Sequence, residues 1–235
     1  MKKIQLKQVL RNKRFVLFTI ILPIGWYIFF YNLQKGVSPS ILLGIAVFIG
    51  VIGNSLATFS KRIASDIGFY SFESHFTSYS VKNYLWDQSI VQLILNSLIF
   101  LAVLVVAVLG FHFPVTTSLL VQFFLLSLMG IYFSVIGFVL GVRVDAKTID
   151  TIGFPVIILA AMTIIPFDTL GASGGFMDLV GKLQRVFPGY YYTKLIQDLT
   201  EKQTIDATQL ALFVAVFGLN LLFFYLLVPK GKMGN

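Results

Sequence analysis

Few side chains in this 235-residue sequence have the type and spacing that catalysis requires. The segment Gly171-Ala172-Ser173-Gly174 matches the GxSG nucleophile motif of intramembrane serine proteases. A nucleophilic serine needs a general base close to it. The two histidines of the sequence, His75 and His112, both precede this serine and lie in predicted loops. A glycine-rich turn is therefore the better interpretation, and the sequence predicts no catalytic residue.

The sequence also lacks the motifs of nucleotide and metal sites. It contains no GxxxxGK[ST] phosphate-binding loop, no HExxH or EExxxR pattern and no cysteine. A chain without a phosphate-binding loop does not hydrolyse ATP by that route, and two histidines are too few for a histidine-based metal site. We therefore expect no metal and no cofactor on this chain.

Three amide side chains lie inside the apolar runs of residues 41–59 and 90–109 and need hydrogen-bond partners there. They are Asn54, Gln92 and Asn96. Amides in such positions either bond to neighbouring helices or contact a substrate, and the first is the preferred interpretation. The apolar runs themselves contain no charged residue, which argues against a transporter coupled to protons or ions through intramembrane carboxylates.

The composition places these residues in a membrane protein. Hydrophobic residues make up 57% of the chain and charged residues only 12%, with a mean hydropathy of +0.87, whereas soluble domains carry about 25% charged residues. The net charge of +8 could indicate nucleic-acid binding. Because the basic residues flank apolar runs, the charge instead indicates membrane topology, and no nucleic-acid partner is expected.

Six apolar runs are long enough to be candidate membrane spans. They cover residues 15–31, 41–59, 90–109, 119–140, 151–167 and 210–228. Transmembrane β-strands would need polar residues at every second position, which these runs lack, so the runs are predicted to be helices. No internal repeat or linker divides the chain. The prediction is an all-α integral membrane protein with a single transmembrane domain over residues 1–235.

Lysine and arginine are distributed unequally between the two sides of the six spans. Thirteen lie in the two tails and in the second and fourth connections, and five lie in the other connections. Because these residues accumulate on the cytoplasmic side of a membrane, both termini are predicted to be cytoplasmic. The residue usage fits a multi-pass protein of a bacterial plasma membrane.

Two segments outside the spans are predicted to lie along the membrane surface. The N-terminal tail forms an interfacial helix whose basic residues Lys7, Arg11 and Arg14 point to lipid headgroups. In the last connection, an amphipathic helix from Phe176 to Phe187 is expected in the outer leaflet. It precedes three tyrosines that are predicted to anchor at headgroup level, namely Tyr190, Tyr191 and Tyr192.

The connection between the second and third spans carries an aromatic face. On a helix, Phe69, Phe72, Phe76 and Tyr79 fall on one side, with serines opposite. From periodicity alone, this face could lie on the membrane, pack against the ends of the spans, or insert into a groove of a partner protein. The sequence pattern does not distinguish among these three alternatives.

Small residues recur along the predicted fourth span. Gly130, Ser134, Gly137 and Gly141 follow one another at intervals of four, three and four residues. This spacing stacks them on one helix face, where a neighbouring helix can approach closely. The pattern predicts a helix-packing surface.

Taken in order, these features resemble the membrane permease subunits of type-2 ABC exporters. The first part of the resemblance is LRNKRFVLFTIILPIGWYIFF, a basic helix followed by an apolar run with a proline. The second is Ile63-Ala64-Ser65-Asp66 with Gly68, Phe72 and Glu73, and the third is Phe187-Pro188-Gly189-Tyr190 before the last span. Together they extend over nearly the whole chain.

The resemblance implies a function and a set of partners. The segment after the second span would be the coupling helix, which in this family binds a cytoplasmic ABC ATPase subunit that carries ATP and Mg. Its residues here would be Asp66, Gly68, Phe69, Phe72, Glu73, Phe76 and Tyr79. A second permease chain, identical or related, would complete an exporter in the plasma membrane. The uncharged spans suggest an amphipathic or lipophilic substrate such as a drug, a peptide or a lipid.

One rival interpretation does not involve transport. An immunity or sensor protein that binds a membrane-active peptide would have similar apolar spans. Such a protein needs no ATPase, so a neighbouring gene for a nucleotide-binding protein would separate the two interpretations.

Overall fold

The computed structural model describes residues 6–7, 11, 16–33, 36–73, 76, 81–165, 167, 174–201 and 204–227. The regular structure of this part of the chain is helical and contains no strand. The helices are α1 (Leu22–Leu33), α2 (Pro39–Ile52), α3 (Ser60–Glu73), α4 (Val81–Phe111), α5 (Ser118–Arg143), α6 (Ala146–Met162), α7 (Gly175–Gln184), α8 (Pro188–Glu201) and α9 (Ala207–Leu226), with π-helical segments at Leu17–Ile21 and Gly53–Phe59. The predicted all-α class is confirmed for the described residues.

Four of the described helices are long and apolar enough to cross a membrane. They are Pro39–Gly68, Trp86–Phe111, Ser118–Arg143 and Ala207–Leu226, which overlap the second, third, fourth and sixth predicted spans. The first and fifth apolar runs form shorter helices, at Thr19–Leu33 and in the 17-residue α6. The count of six spans therefore stays a prediction.

The helix of the second span is longer than its apolar run. It continues from α2 through the π-helical segment into α3 without a break, although the apolar run was predicted to end at residue 59. No proline occurs in residues 60–73 to stop the helix after Phe59. As a result, the predicted coupling segment is a direct extension of the second span and not part of a loop.

Local signals explain where the main helices begin. Pro39 stands at the start of α2, and the Ser38 side chain accepts a hydrogen bond from the Ser40 amide. Asp145 caps α6 by accepting from the amides of Lys147 and Thr148. These caps fix the helix starts on both sides of the bundle.

The second span lies at the centre of the helix bundle. α2 contacts α1, α4, α5, α6 and α8, and 78% of the most apolar window of this span is buried within the protein. By contrast, only 6% of the corresponding window of α9 is buried, since α9 packs mainly on α8 and α5. α2 is therefore the element through which the other helices are connected, and α9 is peripheral.

α8 is a helix that the sequence pattern did not predict. It begins at Pro188 and buries one face, which includes Gly189, Leu195 and Ile196. Gly189 leaves room for close approach, because a Cβ there would lie 2.6 Å from the Ile164 side chain. α8 fills the space beside the N-terminal half of α2, so this segment belongs to the hydrophobic core.

Candidate functional site

The predicted coupling segment is fixed to its neighbours by one buried tyrosine. The Tyr84 hydroxyl donates a hydrogen bond of 3.1 Å to Asp66 Oδ2, and the Tyr84 ring is fully buried in a cluster with Phe59, Ile63 and Val142. These side chains come from the second span, α4 and α5. A displacement of α3 at Asp66 would therefore disturb the packing of the second span, α4 and α5 together.

Two aromatic rings at the end of this segment are uncovered. Phe72 and Phe76 are 67% and 75% exposed, and their ring centroids lie 5.1 Å apart. Gly68 is also exposed. Phe69 and Glu73 lie within α3, while Tyr79 lies outside the described residues. The described part of the aromatic face thus presents an exposed apolar surface at the end of α3.

An ion pair connects α3 to α6. Lys61 Nζ lies 2.7 Å from Asp150 Oδ1 and 2.5 Å from Asp150 Oδ2. Both side chains are about half exposed, so solvent screens the pair and its contribution to stability is small, at most about 1 kcal/mol. Its main effect is to position α6 against the coupling segment.

A buried network of polar side chains joins α4 to the second span and α5. Asn54 Nδ2 donates to Asn96 Oδ1 at 3.0 Å. Gln92 Nε2 lies 3.2 Å from Ser55 Oγ and 3.3 Å from Asn96 Oδ1. Asn96 Nδ2 in turn lies 3.4 Å from the Gly130 carbonyl oxygen. We call Asn54, Ser55, Gln92, Asn96 and Ser134 the polar network.

Arg62 links this network to the coupling segment. Its Nη2 atom lies 3.4 Å from Gln92 Oε1, and its guanidinium carbon lies 5.7 Å from the centroid of the Phe59 ring. Arg62 stands one helical turn before Asp66 on the same continuous helix. Polar groups therefore run from α3 into the middle of the second span. The sequence pattern placed Arg62 outside that span, because it ended the span at residue 59.

The polar network coincides with the π-helical segment of the second span. Asn54 and Ser55 both belong to Gly53–Phe59. π-Helical turns inside α-helices are rare and are frequent at functional sites, since they change which residues share a face. Here the segment directs two polar side chains toward α4 and α5 within an otherwise apolar helix.

The small residues of the fourth span lie against this same region. A Cβ on Gly137 would lie 2.0 Å from the Ser55 carbonyl oxygen, and one on Gly141 would lie 2.5 Å from the Ser60 carbonyl oxygen. Ser134 Oγ donates to the Gly130 carbonyl at 2.6 Å and lies 3.5 Å from Ser55 Oγ. Close approach of α5 to the second span thus depends on glycine at these positions.

The predicted membrane anchors divide into three groups. Lys7 and Arg11 are exposed, and Arg14 lies outside the described residues. Tyr190 stacks edge-on against Tyr191 and has Lys194 Nζ at 5.8 Å from its ring centroid. Tyr192 differs from the prediction, because its side chain is 3% exposed and packs edge-on against Phe48. The helical period of α8 turns Tyr192 toward α2, and burial raises the pKa of its hydroxyl.

The predicted amphipathic helix, α7, is attached to the core through a glutamine. Gln184 Nε2 donates to the Met162 and Ile165 carbonyls at 2.6 and 2.8 Å, which joins α7 to the end of α6. Val180 is buried, whereas Phe176 and Leu183 are exposed. The predicted apolar face is therefore only partly covered by protein.

Sequence reasoning missed an interhelical contact, made by Gln122, that it had the signal to find. Gln122 is buried and donates from Nε2 to the Ser40 carbonyl at 2.7 Å, which ties the N-terminal ends of α5 and α2 together. Gln122 lies inside an apolar run in the same way as Gln92. The criterion that selected Gln92 and Asn96 also applies to Gln122.

Comparison with known proteins gives one partial similarity. An alignment of 69 positions covers 26% of this chain, and over it the sequence is 36% identical to the protein named "Putative transport permease YvfS" of Bacillus subtilis (strain 168). The matched part covers 28% of that relative's length. No family profile and no solved structure matches the chain. The similarity supports a permease-type membrane protein.

Proposed function

We propose that this chain is the membrane subunit of an ATP-driven exporter of the type-2 ABC class. A separate cytoplasmic ATPase subunit would bind ATP and Mg, and a second permease chain would complete the path through the plasma membrane. The substrate would be amphipathic or lipophilic. The partial similarity to a transport permease and the helices long enough to cross a membrane support a transport role.

The observation that carries the proposal is an exposed aromatic pair, Phe72 in the last turn of α3 and Phe76 beyond its end, where α3 is continuous with the second span. Exposed aromatic side chains at the end of a helix fit an apolar groove of a partner protein. Because α3 continues the second span, motion of the docked partner would be transmitted directly into the membrane. The Asp66–Tyr84 bond and the Arg62–Gln92 contact would extend that motion to α4.

The test uses a tagged full-length chain expressed with its native operon and purified in mild detergent. Recovery of a stoichiometric nucleotide-binding subunit with vanadate-sensitive ATP hydrolysis is expected. Replacing Phe72 and Phe76 with Ser should abolish this recovery while membrane insertion is retained, because the change removes apolar docking surface and leaves the spans unchanged.

Phe176→Ser is the matched control. Phe176 is 66% exposed, like Phe72, but lies on α7, at the predicted outer side. This variant should retain the ATPase subunit in full. Recovery of the wild-type chain alone and inert to ATP would refute the exporter and favour a peptide-binding immunity or sensor protein. If the double variant, with Phe72 and Phe76 replaced by Ser, recovers as much ATPase subunit as the wild-type chain does, these two residues do not form the docking surface.

A further inference from the structure

Arg62 is a cation whose hydrogen bonding in the structure is incomplete. Its Nη2 atom lies 3.4 Å from Gln92 Oε1, which is long for a charge-assisted hydrogen bond. Its Nε and Nη1 atoms are buried and have no hydrogen-bond partner in the part of the chain that the structure describes. Buried charges in proteins are generally paired and hydrogen-bonded. The observed position of Arg62 therefore leaves most of its N–H donors unused.

An unused acceptor lies one helical turn away on α4. Four polar side chains follow one another on α4 at intervals of four residues and are buried on one face, namely Tyr84, Gln88, Gln92 and Asn96. Gln88 Oε1 is buried and has no hydrogen-bond partner among the described residues. One turn of α4 thus separates the acceptor that Arg62 contacts from an acceptor that is free.

The packing of the two helices places Gln88 opposite the interval between Arg62 and Asp66. Arg62 contacts Gln92. Asp66, one turn later on the same helix, accepts a hydrogen bond from Tyr84. Residue numbers therefore increase in opposite directions along the two facing helices, and Gln88 lies between these two contacts. A guanidinium that turns from Gln92 toward Gln88 also approaches the Asp66 carboxylate.

The Arg62 side chain is long enough to serve both acceptors. Side chains four residues apart on one helix have Cβ atoms about 5–6 Å apart. An arginine side chain has several rotatable bonds, so its guanidinium can move by this distance while its Cα stays in place. When α3 slides along α4, the distance from Arg62 to one glutamine falls and the distance to the other rises. Motion of α3 therefore favours one acceptor over the other.

We propose that Arg62 is a two-position switch that exchanges Gln92 for Gln88 when the coupling segment moves. In the Gln92 position, Arg62 is joined to the polar network of the second span, α4 and α5. In the Gln88 position, it leaves that network and its charge lies beside the Asp66 carboxylate. The inference rests on the proposed function for the partner that moves the coupling segment. The two positions are testable on the full chain without that partner.

Gln88→Glu tests the second position through thermal stability in detergent. Gln88 is 1% exposed, so a carboxylate at this position needs a cation beside it. If Arg62 reaches the new carboxylate, the Tm should stay within about 3 °C of wild type at mildly alkaline pH. Adding Arg62→Gln to this variant should then lower the Tm by at least about 6 °C, because the buried carboxylate loses its partner.

Gln122→Glu is the matched control. Gln122 is 2% exposed, and no charged residue lines the cavity beside it in the described part of the chain. A carboxylate there should lower the Tm by at least about 6 °C. Arg62→Gln alone should lower the Tm by less than it does in the Gln88→Glu background. If Gln88→Glu is as unstable as Gln122→Glu, or if Arg62→Gln has the same effect in both backgrounds, Arg62 does not reach Gln88 and the switch is overturned.

Gln92→Glu tests whether both positions are used. It converts the observed 3.4 Å contact into an ion pair that holds Arg62 in place. In the complex with the ATPase subunit, Gln92→Glu and Gln88→Glu should each reduce vanadate-sensitive hydrolysis at least about fivefold. The ATPase subunit should still be recovered, because neither change touches the docking surface. An arginine that only stabilised the fold would leave hydrolysis unchanged in Gln92→Glu, and that result would overturn the switch.

The switch and the exporter fail in different ways. If no ATPase subunit is recovered with the wild-type chain, the exporter is refuted, and the Tm comparison decides by itself whether Arg62 reaches Gln88. If the ATPase subunit is recovered and both glutamate variants hydrolyse ATP as the wild type does, the exporter is supported and the switch is overturned.

Discussion

Gly137→Ala tests whether the close contact between α5 and the second span holds the bundle together. The added Cβ would lie 2.0 Å from the Ser55 carbonyl oxygen and 2.9 Å from the Ser55 carbonyl carbon. Both are backbone atoms within the π-helical segment, so no side-chain rotation relieves the overlap. Ordinary van der Waals contact begins at 3.4 Å, so the two helices would have to separate by about 1.4 Å.

Separation by this distance would affect more than one contact. The Ser55–Ser134 approach and the packing of Gly141 on Ile63 lie on the same interface. Overpacking of a dense interface costs about 1–3 kcal/mol, and we expect the upper end because backbone opposes the methyl group. For a chain of this length, about 3 kcal/mol corresponds to a Tm lower by roughly 6–12 °C.

The assay is the fraction of protein that stays monodisperse in detergent after heating. Gly218→Ala is the matched control, because Gly218 also lies in a membrane-crossing helix but has no atom within 4 Å of an added Cβ. That variant should be as stable as wild type or more stable by about 0.5–1 kcal/mol, through helix propensity. If Gly137→Ala and Gly218→Ala have the same Tm, the structural reasoning about this interface is wrong.

Two further variants test the polar network and a helix cap. Asn96→Leu removes the acceptor of two amide donors and should lower stability by about 1 kcal/mol in the same heating assay. Ser97→Ala, whose hydroxyl donates within α4 to the Leu93 carbonyl, should leave stability unchanged, and an equal loss would contradict the network's role. At the start of α6, the Thr148 side chain and amide lower the pKa of Asp145 below 3.8 by hydrogen bonding. This cap therefore stabilises α6 above pH 3.8 and is lost as the pH falls through the lower folded pKa. Asp145→Ala should speed hydrogen exchange at the Thr148 amide at neutral pH, and unchanged exchange would exclude the cap.

The sequence predicted the site less completely than the fold. Asn54, Gln92 and Asn96 were identified as amides that need partners, and their mutual contacts were not predictable, because partners up to 42 residues apart in sequence meet only after packing. Arg62 was assigned to a loop, because the apolar run ends at residue 59, before Arg62. The orientation of Tyr192 was also missed, because a run of three tyrosines suggests an interface and only the α8 period shows which ring turns inward.

What the sequence determines by itself is the class of the molecule. A composition of 57% hydrophobic and 12% charged residues requires a non-aqueous environment, and backbone groups in hydrocarbon require helices. The tertiary structure decides the rest: that α3 continues the second span, that α8 enters the core, and that Arg62 meets Gln92. In a membrane every helix is apolar on most faces, so hydropathy does not distinguish the surface that meets protein from the surface that meets lipid. Only the fit between glycines, amides and neighbouring backbones makes that distinction.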